Sequence, residues 1–314
     1  MPWDQRVAQR LKLRDLYVLQ TVVQLGSMGK AAGRLAVSQP AISKAIIDLE
    51  HVLGVRLLDR SRQGVEATRY GTALLNWSAI IFDNLRQSVD EIDFLVDPSG
   101  GEVRIGSTDI MLSTLVPALI ARLSQQFSKM VFKISVAPGI REQFHDLRAR
   151  RVDLILGRIL EPKPDEDLDV DILFEDRLFV VAGRDSKWHR RRRINPANLI
   201  NEPWVLPAYD TFIGSIVKEA FQSIGLEPPR ITVSSSSLPS YAGLLATGRF
   251  LALRPASWLH LHGRSTSEKA LPVDLRFRSL NVGIVTLKNR PVSPAAKLFI
   301  ECAHKFTRPP ANAR

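Results

Sequence analysis

Residues 37–47 read VSQPAISKAII. Ala41 and Ala45, with Ile42 and Ile46, recur at helical spacing, which makes one face of a helix apolar. The other face carries Gln39, Ser43 and Lys44, small or extended polar groups in place of the usual Glu/Lys mixture. Ser38 is a natural N-cap, and Pro40 falls in the first turn, where its missing N–H is harmless. The helix is expected to run to about Leu53 and to stop at Gly54. A helix with so small an outer face can lie deep in a groove.

Upstream, Leu13, Leu16, Leu19, Val22, Val23 and Leu25 make a helix over 12–25 that Gly26 ends. Ser27 can cap a short second helix over MGKAAGRLA, residues 28–36. Three helices in about 45 residues, the last two separated by little more than VS, have the spacing of a helix-turn-helix, at about 28–47. Downstream, VRLLDRSRQGVEAT reads as two short strands around a turn at Gly64, a hairpin wing that completes a domain over 11–68. Thr68 then caps a long helix over 69–96. Its stripe runs Leu74, Trp77 or Ser78, Ile81, Leu85, Val89 or Ser88, Ile92 and Val96. That is too much apolar surface for a lone helix in water, so a pairing helix from a second subunit is expected.

A helix fits the major groove of B-DNA, where base edges are distinguishable. Gln39 can bond bidentately to an adenine. Ser43 and Lys44 can reach a base edge or a phosphate, and Ala41 and the Pro40 ring can touch a thymine methyl. Ser38 and the helix N-terminus favour a phosphate. Ile42, Ile46 and Leu49 should face the first two helices. Ser27 and Lys30 are candidate phosphate contacts, and Arg60, Arg62 and Gln63 on the wing can reach backbone or minor groove. The alternative for SQPAIS is a capped surface helix, which the two preceding helices and the wing argue against.

DPSGGE, residues 97–102, is a hinge by composition. Beyond it the pattern becomes α/β: VRIGS, VFKISVA and VDLILGR alternate with helices, which argues for parallel sheets covered by helices. A strand pair, DILFEDRLFVVAG, leads to a second set of elements. VGIVTLK and a last helix then return to the first lobe. Residues 103–308 are therefore expected as two α/β lobes, the first from about 103–178 and 281–308, the second from about 179–280. A ligand belongs between such lobes, at strand C-termini. That rule nominates Ser107, Thr108, Asp109, Pro138, Gly139 and Arg158 from the first lobe. From the second it nominates Tyr209, Thr211, Phe212 and the run Ser234–Ser237, with Ser236 at its centre. Backbone N–H groups with Arg158 suit a carboxylate, whereas Asp109 hints at hydroxyl groups, as on a sugar. A structural ion pair for Arg158, capping for Ser107 and Thr108, and a plain loop for the serines are the competing readings.

The 314 residues carry a net charge of +11 and are 45% apolar, enough for more than one packed core. The excess favours a polyanion partner. It is not concentrated at the start: residues 1–70 hold eleven basic and six acidic side chains, residues 99–314 thirty-one and twenty-one. HRRRR at 189–193 reads as a solvated loop. No apolar run approaches a membrane span, and MPWDQRVAQRLKLRD lacks a signal-peptide core, so a cytoplasmic protein is expected. The single cysteine, Cys302, excludes an internal disulfide. Six histidines include one close pair, His260 and His262, without an acidic companion, so no metal site and no cofactor are expected. Glycine-rich phosphate loops and nucleophile elbows are absent, and catalysis has no support. A ligand-independent architectural DNA binder and a solute-binding protein remain the rival classes.

AAGRLAVSQPAISKAIIDLEHVLGVRLLDR resembles the DNA-binding segment of the LysR-type transcriptional regulators. The pattern is paired alanines, Ser-Gln-Pro-Ala, then Ser with a basic residue, Leu-Glu, and Leu-Gly-x-x-Leu-Phe-x-Arg. Leu58 stands here for the Phe, and ATRYG replaces the usual LTEAG. A subset that includes regulators of sugar and aromatic-acid catabolism shares the TRYG feature. The resemblance is specific over about 11–70 and extends in weaker form through the chain. It implies a winged helix-turn-helix, a linker helix that pairs subunits, and a two-lobed domain like the periplasmic binding proteins. It also implies a tetramer of two dimers on a dyad-symmetric promoter site in double-stranded DNA, a small-molecule effector, and RNA polymerase as a partner. Gln39, Pro40, Ser43 and Lys44 are the positions family members present to the operator. The family often places a hydroxyl residue where Ile110 or Met111 stands here.

Overall fold

The computed structural model describes residues 10–61, 64–136, 140–159, 165–262 and 268–308. The chain divides into two compact units at Val89/Asp90.

In the first unit, α1 (Leu13–Leu25), α2 (Met28–Leu35) and α3 (Gln39–Leu53) precede the hairpin β1 (Leu58–Ser61) and β2 (Gly64–Ala67). The ends fall where local chemistry places them. Gly26 and Gly54 cap α1 and α3 in the left-handed conformation. Ser27 Oγ accepts from the Lys30 N–H, and Ser38 Oγ from the Ala41 N–H, both at 3.4 Å. Leu16, Leu19, Val22, Ala31, Ile42, Ile46 and Leu49 form the buried core. Ala36 closes α2 at φ 53°, a conformation usually left to glycine. The sharp turn between α2 and α3 demands it.

The wing is tied to α3 by Glu50, whose Oε1 accepts from the N–H groups of Leu57 (2.7 Å) and Leu58 (3.3 Å). Thr68 caps the long helix α4 (Arg69–Val96): its Oγ1 accepts from Gly71 N–H at 3.1 Å and donates to Arg56 O at 2.8 Å. Gly71 is where α4 crosses the start of β1. A Cβ there would stand 2.1 Å from the Leu57 carbonyl oxygen, so only glycine fits. The stripe on α4 splits: Leu74 packs on the core, while Trp77, Leu85, Ile92 and Val96 are exposed, Trp77 at 66% and Ile92 at 60%.

In the second unit the strand order of lobe I is β4-β3-β5-β12-β6: Lys129–Val136, Gly100–Ser107, Leu154–Ile159, Leu280–Leu287 and Leu168–Asp176. Lobe II runs β11-β7-β10-β8-β9: Glu268–Ala270, Leu178–Gly183, Leu251–Pro255, Trp204–Leu206 and Ile231–Ser234. The helices are α5 (Asp109–Leu112), α6 (Leu115–Gln126), α7 (Ile140–Arg148), α8 (Phe212–Gln222), α9 (Leu238–Ala246), α10 (Ala256–His262) and α11 (Pro294–Thr307).

Three expectations change. The sheets are mixed, not parallel: β12 runs antiparallel to both β5 and β6, and β7 antiparallel to β10 and β11. A crossing strand reverses direction each time the chain changes lobe. The hinge is shorter than its composition suggests, because Gly100, Gly101 and Glu102 already pair with Lys129, Met130 and Val131. Only Asp97–Ser99 stays outside, and Asp97 binds Lys129 Nζ and Ser99, which hold its carboxyl down at about 2. Finally, α10 and β11 are additions the sequence did not announce. No helix among the described residues is long and apolar enough to cross a membrane.

Candidate DNA-reading face and interlobe cleft

On α3 the apolar positions Ile42, Ile46 and Leu49 turn inward and leave Gln39, Pro40, Ala41 and Lys44 exposed, with Ser43 half-buried. Lys30 is exposed one turn into α2, and Ser27 and Ser38 spend their hydroxyls on helix caps. Both serines still sit where N-terminal N–H groups converge, a place for a phosphate. Arg60 is exposed on β1 opposite Val65. Arg62 and Gln63 lie outside the described residues. The face thus combines a bidentate amide, a basic group and little steric bulk, which is the equipment for reading a major groove.

The second site is a cavity of about 390 Å³ between the lobes. Thr108, Asp109, Ile110, Val136 and Arg158 line it from lobe I. Leu178, Pro207, Ile213, Ser236, Leu238, Tyr241 and Leu253–Pro255 close it from lobe II. Of the expected effector residues, Thr108, Asp109, Arg158 and Ser236 come together here. Pro138 and Gly139 lie outside the described residues.

Four expected residues do not line this cavity. Ser107 is buried, and its hydroxyl donates to Leu156 O at 2.8 Å, while its carbonyl accepts from Gln143. Its side chain ties β3 to β5. Tyr209 gives its hydroxyl to the Pro229 carbonyl, on the far side of the loop that follows β8, and burial pushes that hydroxyl up to about 12. Thr211 caps α8 by accepting from Gly214 N–H at 3.1 Å. Phe212 packs on the lobe II core beneath the Arg278 guanidinium. The next residue on α8, Ile213, is the one that faces the cavity.

Two arginines line the cavity and differ in what they bind. Arg254 is 2% exposed and holds Glu268 bidentately, at 2.9 and 3.0 Å, with its guanidinium over the rings of Trp258 and Tyr241. Burial pushes the Tyr241 hydroxyl up to about 12, against the pull of Arg254. That hydroxyl donates to Ser235 O at 3.0 Å. Arg158 has no such acceptor: its Nε and Nη2 are buried without a hydrogen-bond partner. Desolvation pulls its pKa below the ordinary arginine value, with Asp176 working the other way. The Asp176 carboxylate is itself taken by Ser257, through N–H at 3.0 Å and Oγ at 2.6 Å. Thr108 Oγ1 is likewise buried and unpartnered, and it caps nothing. A cation and a hydroxyl donor, both without acceptors, therefore border one cavity.

Arg254 and Tyr241 were missed by the sequence reading. A charged residue inside the apolar strand FLALRP was the available signal for Arg254. His260 and His262 lie on α10, where the His262 ring stacks on Trp258.

Known proteins match this chain over most of its length. The family described as "LysR substrate binding domain" matches residues 97–308, and "Bacterial regulatory helix-turn-helix protein, lysR family" matches residues 13–72. The HTH-type transcriptional regulator GbpR of Azospirillum brasilense is 29% identical, over 92% of this chain and 84% of its own length. Among solved structures, a full-length OxyR variant from Pseudomonas aeruginosa is 22% identical, with a TM-score of 0.65 over 93% of this chain and 94% of that one. Full-length CbnR complexed with its target DNA is 22% identical, with a TM-score of 0.55 over 95% of this chain and 100% of that one.

Proposed function

Because this chain belongs to the LysR family of DNA-binding transcriptional regulators, we propose that a small anionic effector in the interlobe cleft switches it. The observation that carries this reading is the Arg158 guanidinium, desolvated beside the cavity with two nitrogens lacking an acceptor. An unsatisfied buried charge is costly, and a ligand carboxylate removes the cost. Thr108 can donate to the same anion. Asp109, on the same wall, repels a second carboxylate and accepts from a hydroxyl or an amine. The ligand class is therefore a carboxylate that also carries a hydrogen-bond donor, such as a hydroxy acid or sugar acid. By binding both lobes it favours one of their arrangements, and with it one arrangement of the DNA-reading modules.

The α3 face reads the DNA through Gln39, Ser43 and Lys44, with Ser27, Lys30, Ser38 and Arg60 on the backbone. Exposed Trp77, Ile81, Leu85 and Ile92 support pairing of α4 with its copy. Paired modules fit a dyad-symmetric site, and a tetramer supplies two pairs. The protein works in the cytoplasm and acts on RNA polymerase at the promoter.

The test is a thermal-shift screen of hydroxy acids, sugar acids and neutral sugars on the full chain, followed by footprinting with each hit. A carboxylate hit that shifts the wild type and not Arg158→Ala, with operator binding kept in the variant, is the expected result. Hits confined to neutral sugars defeat the anion reading. No hit at all, with footprints unchanged, favours a ligand-independent architectural protein.

A further inference from the structure

The run of arginines at 190–193 sits in lobe II, in the turns between β7 and the 3₁₀ segment at Pro196–Leu199. The loop is not free chain. Successive turns bond Ser186 N–H to Gly183 O, His189 N–H to Ser186 O and Arg191 N–H to Trp188 O. Trp188 packs on the lobe II core, and Ile194 is buried and bridges Val273. Lys269 Nζ donates to His189 O at 2.7 Å. Between these anchors Arg190, Arg191, Arg192 and Arg193 are all exposed. Among the described residues their guanidiniums form no ion pair. Glu202, on the far side of the 3₁₀ segment, is held by Lys187 at 2.7 Å. The fold thus holds four adjacent positive charges in place, with no ion pair to any of them among the described residues.

We propose that this turn is a second DNA contact: a phosphate clamp that grips duplex beyond the bases read by α3. Three arguments choose this partner. Arginine forks match phosphate oxygens, and an anchored loop loses little freedom on binding. The aromatic of the segment is turned into the core, so the surface has no apolar anchor of the kind a protein interface is built around. It recognises charge alone, and a DNA backbone is charge without sequence. Lastly, a chain that already holds DNA keeps the flanking phosphates at high local concentration. This step rests on DNA binding by α3. It also accounts for the position of the excess charge, most of which lies outside the DNA-reading domain.

The experiment compares the full chain with two variants, one carrying glutamine and one carrying lysine at all four positions 190–193. Duplexes containing a site selected by the protein from a random pool are prepared in two lengths, one ending at the half-sites and one with about two helical turns of random flank on each side. Binding is followed by fluorescence anisotropy across a salt series. On the long duplex the glutamine variant should lose at least about tenfold in affinity, and its slope of log K against log salt should be shallower by about 2 to 4, near 0.9 for each phosphate released. On the short duplex it should match the wild type. The lysine variant keeps the charge and should keep the slope. An unchanged slope on the long duplex overturns the proposal. So does an equal loss on both lengths, or a lysine variant that fails like the glutamine one. Gln39→Ala, run in parallel, weakens both duplexes alike without changing the slope; if it changes nothing, base reading by α3 fails on its own account.

Discussion

Ser38, the N-cap of α3, has found its partner in the Ala41 N–H, and the exposed Gln39 and Lys44 lose nothing by facing water until DNA arrives. In the cleft the accounts are open: Arg158 Nε and Nη2 and Thr108 Oγ1 have left water and bind nothing. Both regions are polar, and both are proposed to bind a ligand. The difference is where the unbound state keeps its cost. The reading face is a rigid surface that is comfortable empty, suited to a partner that comes and goes along a genome. The cleft is poised, and its ligand relieves a standing penalty, which is what an effector needs if it is to shift an equilibrium between arrangements of the lobes.

The sharpest way to break this contrast uses the two cleft arginines against each other. Arg254→Met leaves Glu268 buried without its partner and strips the cation from Trp258 and Tyr241. A loss of about 3–5 kcal/mol is expected, the usual cost of breaking a buried pair from one side. Arg158→Met should do the reverse in the unliganded protein and raise stability by about 1–3 kcal/mol, since it removes a charge that has no acceptor. Urea denaturation followed by far-UV circular dichroism reads both, because it reports on lobe I, which holds Arg158, and on lobe II, which holds Arg254. Equal destabilisation by the two variants would show that Arg158 has a structural partner and would close the case for an anion site.

The same contrast explains what the sequence made readable. α1, α2 and α3 were legible to within a residue or so because every end carries its own local signal: Gly26, Ser27, Ser38 with Pro40, and Gly54. The residues proposed for the reading face are neighbours on one helix, so spacing alone brings them together. The cleft is built from β3, β5, α9 and β10, and no local signal joins them. Of the residues nominated by the rule that ligands sit at strand ends, Thr108, Asp109, Arg158 and Ser236 line one cavity. Tyr209, Thr211 and Phe212 do not line it, because the loop after β8 spends those side chains on Pro229, on the cap of α8 and on the core. Tyr241 and Arg254 escaped because their neighbours are set by tertiary packing. Strand direction escaped for a similar reason: the alternation of elements shows β7 and β12 as strands, but only the lobe they rejoin decides which way they run.

Glu50 extends the comparison to a carboxylate that is satisfied by backbone alone. It holds the wing to α3 through the N–H groups of Leu57 and Leu58, whose side chains are buried. Glu50→Ala orphans both donors, and the DNA-reading domain should lose about 2–6 kcal/mol, at about 1–3 kcal/mol for each. Hydrogen exchange should show lost protection at residues 57–58, with lobe II unaffected. Protection retained there would mean that the wing is held by its apolar contacts with the core.

The smallest effect concerns the one non-glycine residue of the helix-turn-helix that bears backbone strain. Ala36 sits at φ 53°, where its Cβ crowds the following carbonyl. Glycine at this position removes the clash but widens the unfolded ensemble, and the two terms oppose each other. The strain is the larger, so Ala36→Gly should stabilise the domain by about 0.5–1 kcal/mol. The turn that sets α3 against α2 should otherwise be unchanged, and the affinity for the selected DNA site should stay within about twofold, because a difference below about 0.5 kcal/mol in binding is all that a conserved geometry allows. A stabilised domain with much weaker DNA binding would mean that the rigidity of Ala36, more than the identity of Gln39, aims the reading face.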